Sequence, residues 1–365
     1  MASFEDGNSY EEIVARSLER VATDVDKREG SVVHNGIAPA SAELSLIYIL
    51  LDAIYENGFA DTAEREWLIR RAKERGLSPH PATYAVLKGE FNMEIPIGSR
   101  FNLDELNYEA IEYIDSTTVD EVTTYNYQLR CEELGTEGNA HFGAVEPIDF
   151  IADGLEGAIT ELLIPAQDEE DTEVFRARYM NSFSDTPFGG NQADYKNKAL
   201  AIDGVGGVKI IPVWDGGGTV KVIIINSNYD KASSILVAAA QEIIDPVAHT
   251  GDGKGTAPIG HTVTVVSCEE VTVNISARVT LEDGYTWEGL LSDITAAVEA
   301  YLLEIRTNWA NTDTPVVRVS QVENRILNVD GVLDIQDTEI NGSSSNLTLD
   351  FKEIPVLGVI TNVAT

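Results

Sequence analysis

Cysteine is nearly absent from this chain: Cys131 and Cys268 are the two in 365 residues. They are too few for a disulfide framework and show no CxxC spacing, so both read as ordinary thiols and stability falls to the hydrophobic core. Basic residues are also scarce, 25 lysines and arginines against 61 aspartates and glutamates, for a formal net charge of −36. Such a field repels free phosphates and disfavours DNA or RNA as a partner; it suits plain solubility or a basic neighbouring subunit. No uninterrupted apolar run approaches eighteen residues, so neither a transmembrane helix nor membrane insertion is expected. The opening MASFEDGNSYEEIV lacks the basic patch and apolar run of a secretory signal, which points to synthesis and first residence in a cytoplasm. GxSxG, HExxH and paired-cysteine motifs are missing, and the carboxylates are spread along the chain, so no catalytic residue, metal site or cofactor is proposed.

What is present is a globular composition, 43% hydrophobic and 24% charged, in a chain long enough for about two to four domains. From Tyr10 to about Gly76 the period is helical. A first helix ends before DKREGS. In APASAELSLIYILLDAIYENG, Leu44, Ile47, Leu51, Ile54 and Tyr55 recur at steps of three and four and form one stripe, with Gly58 as the stop. A third helix spans about Thr62 to Arg75, closed by Gly76, and Trp67 is expected to dock it on the second. Between Ala82 and Ile164 the period shortens towards two: VLKGEFN, IPIGSRFNL, YEAIEYI, EVTTYNYQLRCEE and GAVEPIDF read as strands.

The run Asp168 to Asp171 precedes EVFRARYMNSF, where carboxylates suit a helix amino terminus. VKIIPVW and TVKVIIIN form a hairpin across DGGG, followed by a helix from about Lys231 to Ile244 and the strand TVTVVS. VTVNISARVTL then leads into a helix from about Thr286 to Arg306, a shorter helix near Ser320 to Leu327, and the strands GVLDIQD and NLTLDF. Strand and helix do not alternate for long enough to make a doubly wound sheet. The fold class is α+β and multidomain: a helical N-terminal region over 1–81, a β-rich domain over 82–165, and α+β domains over 166–260 and 261–365.

HTGDGKGTAPIGH, residues 249–261, resembles a phosphate loop at first sight. With Gly253 and Lys254 in register, however, a Walker A motif requires Gly at Ala248 and a hydroxyl at Gly255, and a strand before the loop and a helix after it, where the order here is reversed. A GxGxxG reading fails at Thr256. The loop therefore reads as a structural turn carried by Gly255, Pro258 and Gly260, with glycine needed for unusual backbone angles and Pro258 stiffening entry to the next strand. His249 and His261 with Asp252 specify no metal geometry. DVDKREG fails as a calcium loop because Arg28 occupies a ligand position and Asn35 stands where the closing glutamate belongs.

Taken in order, DKREGSVVHNGIAPASAEL, FADTAEREWLIRRAKERGL, IPIGSRF, EELGTEGNAHFGAVEPI, DEEDTEVFRARYMNSF, FGGNQADYKNKALAIDGVGGVKIIPVWDGGGTVKVIII, GKGTAPIGHTVTV and EIPVLG resemble the baseplate J-like proteins. These build the wedges of contractile phage tails and of phage-tail-like R-type bacteriocins. Pro79, His80 and His261 depart from the usual pattern. The resemblance implies a structural part with no catalytic residues, made in a bacterial cytoplasm. Its copies associate with each other and with other wedge proteins, and a sixfold ring surrounds a hub below the sheath and rearranges as the sheath contracts. Two other classes are weighed: a nucleotide- or metal-dependent enzyme using the glycine loop, and an adhesin or carbohydrate-binding module using Tyr108, Tyr113, Tyr125 and Tyr127, which more often pack between strands.

Overall fold

The computed structural model describes residues 3–119, 122–183 and 188–363. Two compact units divide the chain, one formed by residues 1–80 and 170–185, the other by residues 81–169 and 186–365. The architecture is α+β, with a helical N-terminal region, a β-rich part and then α+β parts.

In the first unit, α1 (Tyr10–Glu19) opens on a capping box: the Ser9 side chain accepts from the Glu12 amide, and the Glu12 side chain accepts from the Ser9 amide. The next helix, α2 (Val32–Glu56), starts at the Ser31 cap and runs through Pro39. The expected start at APAS is thus late by about two turns, because the Ser31 cap secures a helix start upstream and Pro39 is carried inside it. It is followed by α3 (Arg65–Lys73).

The stretch that begins the second unit folds into β1 (Tyr84–Phe91), β2 (Arg100–Leu103), β3 (Leu106–Val119), β4 (Val122–Leu134), β5 (Gly143–Ala144), β6 (Glu146–Pro147) and β7 (Gly157–Ile164), in the spatial order β5-β7-β1-β4-β3-β2-β6. GAVEPIDF, expected as one strand, is two short ones that pair with opposite ends of this sheet. Only Val145 separates them in sequence, so the sheet must curl until its two ends meet, around Leu87, Phe91, Phe101, Tyr108, Leu129 and Ile159. The strand β7 is absent from the sequence reading, since the adjacent polar pair Thr160 and Glu161 breaks the alternation of GAITELLI.

Back in the first unit, α4 (Thr172–Asn181) supplies Phe175 and Tyr179, which cluster with Leu68 and Ala72 of α3. Trp67 does not dock α3 on α2: it is exposed, and the neighbouring Leu68 points into the core instead. Of the acidic run, Asp171 alone caps α4, accepting from the Glu173 amide. Glu170 is paired with Arg178 at 2.6 Å, and Asp168 accepts from the Thr136 amide and hydroxyl. Burial pushes the Glu170 carboxyl up, but the Arg178 guanidinium and the His80 amide outweigh that and hold it below the usual range.

The remainder of the second unit holds α5 (Gln192–Leu200), β8 (Val205–Pro212), β9 (Thr219–Asn226), α6 (Ser234–Ile244), β10 (Thr262–Ser267), β11 (Glu269–Leu281), α7 (Trp287–Thr307), β12 (Val316–Val317), α8 (Val319–Leu327), β13 (Val332–Ile340), β14 (Leu347–Thr348) and β15 (Glu353–Asn362). The hairpin β8–β9 across DGGG is present, and α6 carries the chain over to β10, which lies parallel to β9. Val222 and Ile224 of β9 face the core under α5 and α6, while Ile223 and Ile225 face Trp309 and Ile354. A strand buried on both faces reads as an unbroken apolar run, which is what VIII, residues 222–225 within TVKVIIIN, is. The last sheet has the order β13-β11-β15, with β15 parallel to β11 and α7 and α8 packed over it.

Candidate functional site

The glycine loop follows the carboxyl end of α6, the end that presents carbonyls, and leads into β10. Its anchor is Asp245, a buried residue that the sequence reading passed over. One carboxylate oxygen accepts from the Gly251 amide at 3.0 Å and the other from the Val263 amide at 2.9 Å, so both ends of the loop are tied to one side chain. Gln241 adds bonds to the Asp245 and Val263 carbonyls and the Val265 amide. A signal was available: Asp245 ends an apolar helix immediately before Pro246, where a carboxylate either points to solvent or binds the loop that follows.

Within the loop, Gly260 has φ +82° and donates to the Gly251 carbonyl at 2.9 Å. Gly255 has an ordinary φ, but a Cβ there would collide with the Ile244 carbonyl oxygen. Pro258 packs close to Gly190, where a Cβ would likewise collide with it. His261 and His249 do not converge: His261 shares a 2.7 Å hydrogen bond with the Tyr195 hydroxyl, and His249 lies 3.5 Å from Asp252. Lys254 is exposed. Among the described residues, no group of three or more His, Cys, Asp or Glu is arranged to hold a metal ion.

A second buried polar group joins two parts of the second unit. Lys209, on β8, donates to the carbonyls of Thr312 and Phe351 at 2.7 and 2.6 Å, with its ammonium 4.4 Å from the centroids of both the Trp309 and Phe351 rings. Burial pushes it down to about 8 from its ordinary 10.5. Beside it, Ile223 and Ile225 pack with Cys268, Trp309 and Ile354. Arg306 reaches Glu299 at 2.6 Å and Asp230 at 3.6 Å. These contacts fasten the hairpin sheet to the last sheet. The signal for Lys209 was a lone cation inside a strand whose neighbours are all apolar.

The tyrosines weighed for an adhesin part company. Tyr108 and Tyr127 are buried in the curled sheet, the Tyr127 hydroxyl accepting from the Ile95 amide, and Tyr113 stacks edge-on against Tyr127. Tyr125 is partly buried against the same core. They are packing residues in the main, with half of Tyr113 left in solvent.

The most unusual surface belongs to α2. Among the described residues it is the one helix long and apolar enough to cross a membrane by length and composition, and Ser41 is its one buried residue. The uninterrupted-run criterion overlooked it because Glu43 and Asp52 break the run. One row, from His34 through Ser41, Ser45 and Tyr48 to Tyr55, is at least partly covered. The adjoining row, Ala40, Leu44, Ile47, Leu51 and Ile54, repeats at steps of four and three and is open: Leu44 is 46%, Ile47 49% and Ile54 57% exposed. That is the spacing of a helix-packing seam. Asp52 is held at the edge of the covered row by the amides of Phe4 and Glu5, at 2.8 and 3.0 Å. No Lys or Arg occurs anywhere in α2.

Comparison with known proteins matches the second half of the chain to two family models. Residues 187–267 match the baseplate J-like central domain, and residues 273–363 the baseplate J-like protein C-terminal domain. Two proteins of Bacillus subtilis (strain 168), the phage-like element PBSX protein XkdT and the uncharacterized protein YqbT, are each 40% identical over 362 residues, covering 98% of both chains. The putative protein JayE of Escherichia coli (strain K12) is 26% identical over 74% of this chain and 95% of its own. A structure of the anti-feeding prophage baseplate aligns over 94% of this chain and 89% of its own, at a TM-score of 0.41 and 7% identity.

Proposed function

Because the chain belongs to the baseplate J-like family, we propose that it is a wedge component of a contractile tail or phage-tail-like particle and assembles through the open seam of α2. A structural role in a baseplate is what the family supports; the seam is the observation that carries the finer reading. Each half-exposed Leu or Ile gains about 1 kcal/mol when another helix covers it, and the row from Leu44 to Ile54 offers four. An uncharged row of this kind in a chain of net charge −36 favours a helix from a wedge neighbour over bulk water, while the surrounding charge keeps free copies apart. On this reading, copies associate within each wedge, wedges close in a sixfold ring around the hub, and the ring rearranges as the sheath contracts. The chain is made in the bacterial cytoplasm and ends in the baseplate, with other wedge proteins, the hub and sheath-proximal proteins as partners.

The test replaces Leu44 and Leu51 together by Glu in the full chain. Both are already in contact with water, so the thermal transition should stay near that of the wild type, while recovery of the chain in purified baseplates should fall by about tenfold or more. Recovery at the wild-type level would remove the seam from the reading. Flotation with vesicles of phosphatidylcholine and phosphatidylglycerol separates the alternative use of an apolar helix: wild-type chain that floats, and floats less after the double substitution, would move α2 to a lipid surface instead.

A further inference from the structure

The strands β3 and β4 outrun the sheet that carries them. Strand β1 meets β4 only from Tyr125 onward, and β2 meets β3 only as far as Glu109. Beyond these points, Ser116 to Val119 pair with Val122 to Tyr125 of the same hairpin, Thr117 opposite Thr124 and Thr118 opposite Thr123. Register shifts between Ala110 and Glu112 and between Tyr113 and Asp115 mark the place where this ribbon leaves the sheet. Each strand turns one row of amides and carbonyls to its partner and the other row outward. A two-stranded ribbon with no third strand is marginally stable in water.

Exposed strand edges are normally guarded by Lys or Pro, which discourage stray pairing. Here no Lys, Arg or Pro occurs from Ala110 to Leu129. The exposed positions Ser116, Thr117, Thr118, Val119 and Val122 are uncharged, and the threonines and valines among them are residues that favour strands. The charges at the base of the ribbon, Glu112 and Asp115, are both negative and exposed. A second copy laid along this edge would bring like charges together in a chain of net charge −36.

We propose that this ribbon is a docking arm, which adds strand to strand to the positively charged edge strand of a different protein in the same particle. Main-chain hydrogen bonds give the affinity, and the acidic base selects a Lys- or Arg-bearing edge. The proposal rests on the baseplate reading given above.

The experiment places a benzophenone amino acid at Thr117 of the full chain and irradiates assembled particles. An adduct to another protein, mapping to a strand that carries Lys or Arg, is expected. An adduct only to a second copy, an adduct to an edge without basic residues, or none in particles that contain the chain overturns the proposal. In parallel, residues 117–124 are replaced by Asn-Gly, which closes Ser116 and Tyr125 with a two-residue turn. Incorporation into particles should fall by about tenfold or more with the thermal transition retained. Thr117→Lys with Thr118→Lys, which keeps the ribbon but guards its edge with the wrong charge, should give the same loss even if the shortened chain fails to fold. Wild-type incorporation of the lysine variant overturns the arm alone, whereas absence of the wild-type chain from particles overturns the baseplate reading and the arm with it.

Discussion

Asp245 and Lys209 are the residues on which single substitutions should tell most. Asp245→Ala strands the amides of Gly251 and Val263 in a buried setting, at a cost of about 2–4 kcal/mol, read as a lowered urea midpoint. Gly260→Val forces a β-branched residue to a φ of +82°, where strain of about 1–2 kcal/mol follows from backbone sterics even though the space is open. Lys254→Ala, on the exposed face of the same loop, should leave the midpoint unchanged; a loss as large as that of Asp245→Ala would sink this account of the loop. At Lys209 the sign is set by a folded value of about 8 below an ordinary 10.5. Between them the unfolded chain holds the proton that the folded chain has released, so this residue makes stability rise with pH over that window. The cost of burying its charge is in full force below about pH 8. Lys209→Met should flatten the rise measured from about pH 7.5 to about pH 10, and equal slopes in the two chains would show that the site contributes none of it.

At the scale of elements, periodicity carried most of the information. The stripe Leu44, Ile47, Leu51 and Ile54 was legible because helical spacing is a local property; that it is uncovered was not, because coverage depends on what the rest of the chain places beside it. For the same reason the expected dock of α3 on α2 through Trp67 fails while Leu68 packs α3 on α4, since adjacent positions on a helix differ by only about 100° and the sequence does not say which arc is buried or against which helix. The strands β7 and β15 and the helix α5 went unread, and so did both parallel pairings, because strand partnership is set by distant segments and leaves no local mark. Leu44→Asn alone should lower recovery in baseplates less than Leu44→Glu, in proportion to how poorly each side chain tolerates a dry helix contact; equal recovery for both and for the wild type would detach this position from assembly.

For the whole molecule, the acidic charge is the governing quantity. Mutual repulsion acts over about 10 Å at 0.1 M salt and about 3 Å at 1 M, so raising salt should promote association of the purified chain, with apolar seams exposed and their electrostatic protection screened. Sedimentation across that range checks it: a chain that stays equally monomeric at both ends would show that charge is not what keeps copies apart. The second unit should respond to force or denaturant across its hairpin sheet and last sheet as one body, because Ile223, Ile225, Trp309 and Ile354 fill the join and Lys209 bonds across it.

By itself the sequence determined the α+β class, the helical start, the strand-rich middle and, through an ordered set of motifs, the family resemblance. These rest on local periodicity, turn chemistry and composition, which a linear chain displays directly. Only the tertiary structure decided that the first sheet curls until its ends meet at Val145, that Asp245 and Lys209 are buried and bonded, that α2 keeps an open seam, and that β3 and β4 leave the sheet as a ribbon. Each of these depends on contacts between residues far apart in sequence, where burial and pairing are settled by which surfaces the folded chain brings together and which it leaves without a partner.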